Sequence, residues 1–432
     1  MDLIFAPARA LTGSVAVPGD KSVTHRAYLL SALAHGETTV TGVNPGADCA
    51  ATLAALEALG VVVARGPGGA VRLSGRPGGF GAPAGELDLG NSGTGIRLLT
   101  GVLAGFLGEG AATLTGDPSL RQRPMRRIVE PLVAMGADVT ALAPGGRPPL
   151  RVRAARLTGR RHALALASAQ VKSCLLLAGL AATGETVVEE PHPSRDHTER
   201  MLSAFGVSVE HVGPGACAVR GPVALRSPGT LAMPGDFSAA FFWLVAGTIA
   251  PAGQLTLPGV GLNPGRTGGL AVLSRMGAAI EVTNQREQAG EPVGDLTVRP
   301  AALTASDVGP EEIPGLIDEL PALAVAQAYA RGVSRVRGAG ELRVKESDRI
   351  STVVNALRAL GGTVDEVPDG WDVTGGELEG GVVESQGDHR IAMAFGIAAL
   401  RARAAVQVRE GEMIDTSYPR FYSDLRDRVT SR

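Results

Sequence analysis

The chain has 432 residues, of which 44% are hydrophobic, 19% charged and 3% aromatic, and its formal net charge is −2. This length exceeds one ordinary hydrophobic core and predicts two domains of about 200 residues each. The near-neutral charge argues against general nucleic-acid binding, which normally needs a broad basic surface, so any anion site is expected to be local.

One sequence pattern recurs six times along the chain. In each copy an Ala-rich apolar helix ends before a glycine that opens a short strand, and a second helix ends in a bulky residue followed by glycine. The strand-opening glycines are Gly36, Gly110, Gly184, Gly253 and Gly332, with a degenerate sixth start near Arg403. The second helices end at Leu59-Gly60, Met135-Gly136, Phe205-Gly206, Met276-Gly277 and Leu360-Gly361. Such a repeat, roughly 70 to 80 residues long, predicts six β/α modules.

A polar turn precedes the first helix of every module. The six turns are Lys21–Arg26, Asn91–Thr94, Ser168–Gln170, Gly235–Ser238, Asp318–Glu319 and Gly387–Arg390. The helices that follow, expected at 27–34, 96–105, 171–182, 239–247, 322–330 and 391–400, are apolar on nearly all sides and should be buried. Helix N-termini carry partial positive charge and unsatisfied N–H groups, so the turns predict anion-binding positions.

Three modules per domain is the natural division. The sixth module ends with a helical run to Arg428 and no final strand, so we expect the N-terminal strands Leu3–Phe5 and Ser14–Val17 to complete it. This predicts a discontinuous domain, residues 1–19 plus 235–432, and an inserted domain, residues 20–234, with a ligand cleft between them.

The inserted domain supplies candidate substrate-binding residues. Lys21, Lys172 and Lys345 are the only lysines among 41 Lys and Arg residues. Lys21 lies beside Ser22 and Arg26, a set suited to holding a carboxylate and a phosphate. For Lys172, one turn inside a helix, a structural and a functional role both stay open.

The discontinuous domain supplies the candidate acid and base. Asp318 and Glu319 begin an apolar helix, so at least one carboxylate should face the cleft, although both would also suit the helix dipole. Lys345 and Glu346 adjoin a predicted strand end in a run of mixed charges, for which a plain salt-bridge network is the alternative. Arg390 begins the sixth buried helix and can clamp a carboxylate or phosphate.

Six short motifs follow one another along the chain. They are Lys-Ser-x-x-x-Arg at 21–26, Gly-Asn-Ser-Gly-Thr at 90–94, Arg-Pro-Met at 123–125, Ser-Ala-Gln at 168–170, Arg-Val-Lys-Glu-Ser-Asp-Arg at 343–349 and Asp-His-Arg at 388–390. Jointly they resemble the 5-enolpyruvylshikimate-3-phosphate synthase family. The Ser-Ala-Gln triplet and residues 195–198 are similar to its class II branch. The resemblance implies two inside-out α/β domains, each of three βαβαββ repeats.

The resemblance also implies an activity, which is transfer of the enolpyruvyl group of phosphoenolpyruvate to the 5-hydroxyl of shikimate 3-phosphate with release of phosphate. Shikimate 3-phosphate would be bound by Lys21, Ser22, Arg26, Ser168, Ala169, Gln170, Ser194, Arg195, Asp318 and Lys345. Phosphoenolpyruvate would be bound by Lys21, Asn91, Gly93, Arg123, Gln170, Arg349 and Arg390.

The resemblance assigns catalysis to four residues. Asp318 would deprotonate the 5-hydroxyl, and Glu346, Lys345 and Lys21 would serve addition and elimination through a tetrahedral intermediate. No metal or cofactor is implied. Glyphosate would compete with phosphoenolpyruvate, and Gly93 would leave the enzyme sensitive to it.

Two other functions fit parts of the pattern. A UDP-N-acetylglucosamine enolpyruvyl transferase shares the fold and phosphoenolpyruvate but usually carries a reactive Cys or Asp in the loop that matches 121–127, where this chain has neither. A non-catalytic anion-binding scaffold would not need Asp318, Lys345 and Glu346 together. Cys49, Cys174 and Cys217 are odd in number and lack metal-ligand spacing, which predicts neither disulfides nor a zinc site.

Membrane and export signals are not expected. No stretch reaches the roughly 18 uninterrupted apolar residues of a membrane span, and Met1-Asp2-Leu3 does not resemble a signal peptide. We expect a cytoplasmic protein and, by the resemblance, a monomer.

Overall fold

The chain divides into two units in the computed structural model, which describes residues 1–431. Unit 1 comprises Met1–Pro18, Gly235–Arg286 and the chain from Pro292 onward, and unit 2 comprises Gly19–Pro234 and Glu287–Glu291. Two details differ from the predicted boundaries. Gly19 groups with unit 2, where its carbonyl accepts a hydrogen bond from Asn44 at 2.9 Å. Glu287–Glu291 also groups with unit 2, because Glu291 pairs with His197 at 2.7 Å.

The described residues form 12 α-helices and 23 strands. The helices are α1 Lys21–Leu33, α2 Ala47–Ala58, α3 Gly93–Phe106, α4 Arg126–Ala134, α5 Ala169–Gly179, α6 His197–Ala204, α7 Phe237–Ile249, α8 Gly268–Arg275, α9 Leu320–Ala328, α10 Arg349–Ala359, α11 His389–Ala398 and α12 Phe421–Arg428. The strands are β1 Leu3–Phe5, β2 Ala8–Ser14, β3 Glu37–Thr41, β4 Val62–Arg65, β5 Val71–Ser74, β6 Leu87–Asp88, β7 Ala111–Thr115, β8 Asp138–Ala143, β9 Arg147–Arg153, β10 Arg161–Ala163, β11 Gly184–Glu189, β12 Glu210–Gly213, β13 Ala216–Gly221, β14 Thr230–Ala232, β15 Gly253–Gly261, β16 Ala279–Gln288, β17 Glu291–Arg299, β18 Val333–Val336, β19 Thr363–Val367, β20 Gly370–Thr374, β21 Gly381–Glu384, β22 Val406–Arg409 and β23 Val429–Ser431. Short 3₁₀ helices lie at Pro67–Gly69, Leu120–Gln122, Ile313–Gly315, Gly340–Val344 and Gly411–Thr416.

The three sheets of unit 2 share one topology. Their strand orders are β14-β3-β5-β4, β6-β7-β9-β8 and β10-β11-β13-β12. In each sheet the first two strands are parallel, and the third is antiparallel to both of its neighbours. Because β14 comes from the end of the unit and pairs with β3 of its first module, the three modules close on themselves.

Two of the three sheets of unit 1 are completed by strands from the chain termini. The strand orders of the three sheets are β16-β17-β15-β2-β23, β18-β20-β19 and β1-β22-β21. As expected, Leu3–Phe5 completes the last sheet, by antiparallel pairing with β22. The second expected strand was wrong in position and partner, since it spans Ala8–Ser14 and pairs in parallel with β15.

The expectation that the chain ends without a strand was also wrong. Strand β23 follows α12 directly and pairs antiparallel with β2, with Val429 opposite Leu11. A β-branched Val-Thr pair suits extended backbone, and the pairing covers an edge of the sheet that would otherwise stay exposed.

Six helices form the interior of the two units. Every residue of α7, α9 and α11 is buried, and these three helices pack against one another in unit 1. In unit 2, α3 packs against α1 and α5. The alternating helices are amphipathic and lie outside, as in α4, of which only Ile128 and Leu132 are buried. The predicted inside-out α/β arrangement is confirmed.

The predicted ends of the second helices are confirmed at all five positions. Each helix is followed by its bulky residue and then by a glycine with positive φ: Gly60 at 85°, Gly136 at 97°, Gly206 at 78°, Gly277 at 98° and Gly361 at 81°. Only glycine adopts this left-handed conformation without strain, so it terminates each helix.

Candidate functional site

Polar side chains cap five of the six buried helices. The capping residues are Asp20, Ser92, Ser168, Asp236 and Asp388, each accepting a hydrogen bond from a backbone N–H of the first turn. The sixth helix, α9, follows Glu319 without a side-chain cap. The predicted turns therefore lie at helix starts, with one correction. Because Asp20 caps α1, residues 21–26 form its first turns rather than a turn before it.

The sequence-predicted residues fall into two groups, one in each unit. The unit-2 cluster consists of Lys21, Ser22, Arg26, Asn91, Gly93, Arg123, Ser168, Ala169, Gln170, Ser194 and Arg195. The unit-1 cluster consists of Asp318, Lys345, Glu346, Arg349 and Arg390.

Arg26 is a buried cation held by neutral groups. Its side chain is 2% exposed. Nε donates to Thr198 Oγ1 at 2.7 Å and Nη2 to Ser173 Oγ at 2.6 Å, while Nη1 donates to the Ser22 carbonyl at 2.8 Å. No carboxylate lies within ion-pair distance of it among the described residues. Burial, which outweighs the attraction of nearby carboxylates, lowers the pKa of Arg26 to about 10. An anion bound beside this guanidinium would relieve that cost.

Lys21 and His25, on the same helix, connect α1 to its neighbours. Lys21 Nζ lies 2.8 Å from Asp48 Oδ2 on α2. His25 Nδ1 lies 2.9 Å from Thr52 Oγ1, and its Nε2 lies 3.4 Å from Ser92 Oγ at the start of α3. The first turns of α1 and α3 are thus held together by one buried imidazole.

The start of α3 is lined by two arginines. Arg123 Nη2 donates to Asn91 Oδ1 at 2.6 Å. Arg97 Nη1 donates to Gln170 Oε1 at 2.7 Å and to the Gly93 carbonyl at 3.2 Å. A Cβ atom at Gly93 would lie 2.7 Å from Arg123 Nη1 and 3.0 Å from Arg97 Nη1. Glycine at this position therefore lets both guanidinium groups approach the helix N-terminus.

The start of α5 is held by a glutamate. Glu190 Oε1 accepts hydrogen bonds from the backbone N–H of Ser168 at 3.0 Å and from the Ser194 hydroxyl at 2.7 Å. The Ala169 carbonyl accepts from Ser173 Oγ at 2.6 Å, which joins this turn to Arg26. Arg195, half-buried, follows Ser194. All four motifs of unit 2 are thereby connected.

In unit 1, Arg349 lies among three carboxylates. It is 1% exposed. Its Nε lies 2.7 Å from Asp388 Oδ2, its Nη2 2.7 Å from Glu346 Oε2, and its Nη1 3.6 Å from Asp318 Oδ1. Burial by itself would lower the pKa of Arg349, but the charges of Asp388 and Glu346 outweigh it and raise the pKa. Arg349 is therefore a fixed positive charge.

Asp318 and Glu319, adjacent in sequence, have different surroundings. Asp318 lies 3.8 Å from Arg390 Nε, and its carboxylate is partly accessible. Glu319 is 1% exposed and accepts a hydrogen bond from Ser238 inside the unit. Of the two carboxylates, Asp318 is the accessible one. Lys345 is half-buried and follows the 3₁₀ helix Gly340–Val344, which corrects the expected strand end.

The sequence did not single out several residues that hold these clusters. They are Asp48, Arg97, Ser173, Glu190, Thr198 and Asp388. Asp388 lies within the motif at 388–390, and Arg97 follows the motif at 90–94, so capping of α11 and helical spacing from Gly93 were available signals. The others come from distant parts of the chain.

Residues 1–431 contain no helix that is both long and apolar enough to span a membrane. Within the same residues, no group of three or more His, Cys, Asp or Glu side chains is arranged to hold a metal ion. The three cysteines are buried, and burial raises the pKa of Cys174 and of Cys217 to about 12. These two thiols are poor nucleophiles at neutral pH.

Comparison with known proteins gave concordant matches. The family model described as EPSP synthase (3-phosphoshikimate 1-carboxyvinyltransferase) matches residues 5–425. The 3-phosphoshikimate 1-carboxyvinyltransferases of Gloeobacter violaceus and Acidithiobacillus ferrooxidans are each 51% identical to the chain, covering 98% and 97% of it and 97% and 95% of their own lengths. A solved EPSP synthase of Acinetobacter baumannii is 40% identical with a TM-score of 0.88, covering 100% of this chain and 98% of its own.

Proposed function

Since the chain belongs to the EPSP synthase family, we propose that it transfers the enolpyruvyl group of phosphoenolpyruvate to the 5-hydroxyl of shikimate 3-phosphate and releases phosphate. This is a transferase reaction of the shikimate pathway, which leads to the aromatic amino acids. The observation that carries the proposal is the unit-1 cluster, in which Arg349 and Arg390 flank the accessible carboxylates of Asp318 and Glu346. Cationic clamps beside a general base suit two anionic substrates. A cytoplasmic location and a monomeric state remain predictions.

Shikimate 3-phosphate is assigned to residues of both units. Arg26 and Ser22 bind the shikimate moiety, since the buried Arg26 lacks a carboxylate partner. Ser168, Ala169, Ser194 and Arg195 bind the phosphate at the start of α5, where the helix dipole favours an anion. Asp318 and Lys345 contact the reacting end of the same substrate.

Phosphoenolpyruvate is assigned to the cationic residues. The cationic residues are Lys21, Arg123, Arg349 and Arg390. The other residues assigned to this substrate are Asn91, Gly93 and Gln170. Bidentate guanidinium groups match both its carboxylate and its phosphate.

The reaction proceeds by addition and then elimination. Asp318 takes the proton of the 5-hydroxyl as that oxygen bonds to C2 of phosphoenolpyruvate, while Glu346 or Lys345 gives a proton to the C3 methylene. Loss of a proton from the resulting methyl group and departure of phosphate then restore the double bond. Lys21 stabilises the phosphate as it leaves.

Phosphate release tests the proposal. Purified protein is given phosphoenolpyruvate with shikimate 3-phosphate, or phosphoenolpyruvate with UDP-N-acetylglucosamine, in separate reactions. We expect release only with shikimate 3-phosphate, whereas release only with the amino sugar would refute the assignment. The buried Cys49, Cys174 and Cys217 speak against the amino-sugar reaction, since they lack the exposure that a loop nucleophile needs.

A further inference from the structure

Lys172 lies at the centre of a buried ion-pair triad in unit 2. Its Nζ lies 2.8 Å from Glu190 Oε2 and 2.8 Å from Glu199 Oε1, with side-chain exposures of 5%, 1% and 7% for Lys172, Glu190 and Glu199. Burial would lower the pKa of Lys172, but the charges of Glu199 and Glu190 outweigh it and raise the pKa. Two carboxylates facing one ammonium leave the triad with a net charge of −1.

Glu190 connects this triad to two serines. Its Oε1 accepts from the Ser168 N–H at 3.0 Å and from the Ser194 hydroxyl at 2.7 Å, and its Oε2 accepts from the Ser194 N–H at 3.3 Å. Lys172 Nζ also lies 3.4 Å from the Ser194 carbonyl oxygen. One carboxylate thus fixes the N-terminus of α5 relative to the loop that carries Ser194.

If a phosphate binds at these serines, the nearby carboxylate of Glu190 is electrostatically unfavourable for it. A carboxylate beside a phosphate repels it, and the repulsion is strong where water is excluded. Lys172 offsets the charge of Glu190 at this place. When a phosphate arrives, the single proton of the Ser194 hydroxyl turns from Glu190 to the phosphate, and Lys172 remains as the partner of Glu190.

We propose that Lys172 and Glu190 are positioning residues for the phosphate of shikimate 3-phosphate. Glu190 holds Ser168 and Ser194 in place, and Lys172 prevents Glu190 from repelling the phosphate. The inference rests on the proposed function and adds to it two residues that contact no substrate. The inference assigns Lys172 and Glu190 to shikimate 3-phosphate only. The contacts of these two residues given above include no residue that is assigned solely to phosphoenolpyruvate.

Three variants with side chains of similar shape separate the effect of the triad's charge from the effect of its packing. Lys172→Met changes the triad charge from −1 to −2. Lys172→Met/Glu190→Gln and Lys172→Met/Glu199→Gln both restore −1, but only the former removes the carboxylate that touches the serines. Far-UV circular dichroism of each variant establishes that it is folded.

We expect Lys172→Met to raise the KM for shikimate 3-phosphate on the order of tenfold, with kcat and the KM for phosphoenolpyruvate nearly unchanged. The Glu190→Gln double variant should recover most of this loss, and the Glu199→Gln double variant should not. Calorimetric titration with shikimate 3-phosphate alone should give the same order of affinities, which separates this inference from turnover.

Three results would overturn the inference. They are an unchanged affinity for shikimate 3-phosphate in folded Lys172→Met, an equal rise of both KM values, and equal recovery in the two double variants. If the wild type binds shikimate 3-phosphate but releases no phosphate, the proposed function fails while the binding comparison still decides this inference.

Discussion

His25 should make the stability of unit 2 depend on pH in a way that one substitution removes. The side chain is 0% exposed and lies between Thr52 and Ser92. Burial first, and then the positive charges of Lys21 and Arg26, lower its pKa from 6.5 to about 3. The native imidazole is therefore neutral at pH 5, where the imidazole of the unfolded chain is mostly protonated.

The sign of the pH dependence follows from how many protons the folded and the unfolded protein bind. Because the pKa is lower in the folded protein, the unfolded chain binds more protons, and stability falls as pH drops from about 6.5 towards about 3. Each proton that only the unfolded chain binds lowers the free energy of unfolding by about 1.4 kcal/mol per pH unit. His25 should therefore lower the free energy of unfolding by about 2 kcal/mol between pH 7 and pH 5.

Urea denaturation of the wild type and of His25→Asn at both pH values measures this cost. Carboxylates contribute equally to both proteins, so the pH-dependent loss in the wild type should exceed that in the variant by about 2 kcal/mol. Trp243 and Trp371 both belong to unit 1, whereas His25 belongs to unit 2. Tryptophan fluorescence therefore reports the unfolding of unit 1 and serves as an internal control, while circular dichroism follows the whole chain. Equal losses in the two proteins would show that the native imidazole is not held neutral, and would refute the reasoning.

Three further predictions concern activity. Asp318→Asn keeps the shape of the side chain but removes the base, so kcat should fall by on the order of 10² to 10⁴ while shikimate 3-phosphate still binds; near-normal turnover would contradict the assignment. Gly93→Ala places a methyl group 2.7 Å from Arg123 Nη1, so it should raise the inhibition constant of glyphosate roughly tenfold or more beyond any change in the KM for phosphoenolpyruvate. Paired inhibition curves decide this, and equal inhibition of both proteins would show that Gly93 does not line the site. Replacing Cys49, Cys174 and Cys217 by Ala should preserve turnover at a packing cost of about 1 kcal/mol each, and a folded but inactive protein would support the amino-sugar reaction instead.

Local sequence was sufficient for the repeat and for the direction of the buried helices. The glycines after the second helices were predictable because a helix C-terminus is decided within a few residues. The polar helix starts were predictable for the same reason, although α1 begins at Lys21, before the position that its apolar run suggested. The polar helix starts and the resemblance to a known family named the residues of the two clusters.

Pairing between distant parts of the chain was decided only by the tertiary structure. Strand β23 could not be recognised at the chain end, since a three-residue strand is stable only on the edge that β2 provides. Several partners of the charged residues are also distant in sequence. Arg26 is held by Thr198, 172 positions away, and Lys21 by Asp48, 27 positions away.

The sequence by itself therefore determined which residue types stand at the helix starts, because capping and periodicity act over a few residues. The tertiary structure decided which of those charges are neutralised and which stay available. Lys172 illustrates the difference: its sequence position left a structural and a functional role open, and only its two buried glutamate partners connect it to the serines at the start of α5. Such pairings depend on how modules close and pack, which no spacing along the chain encodes.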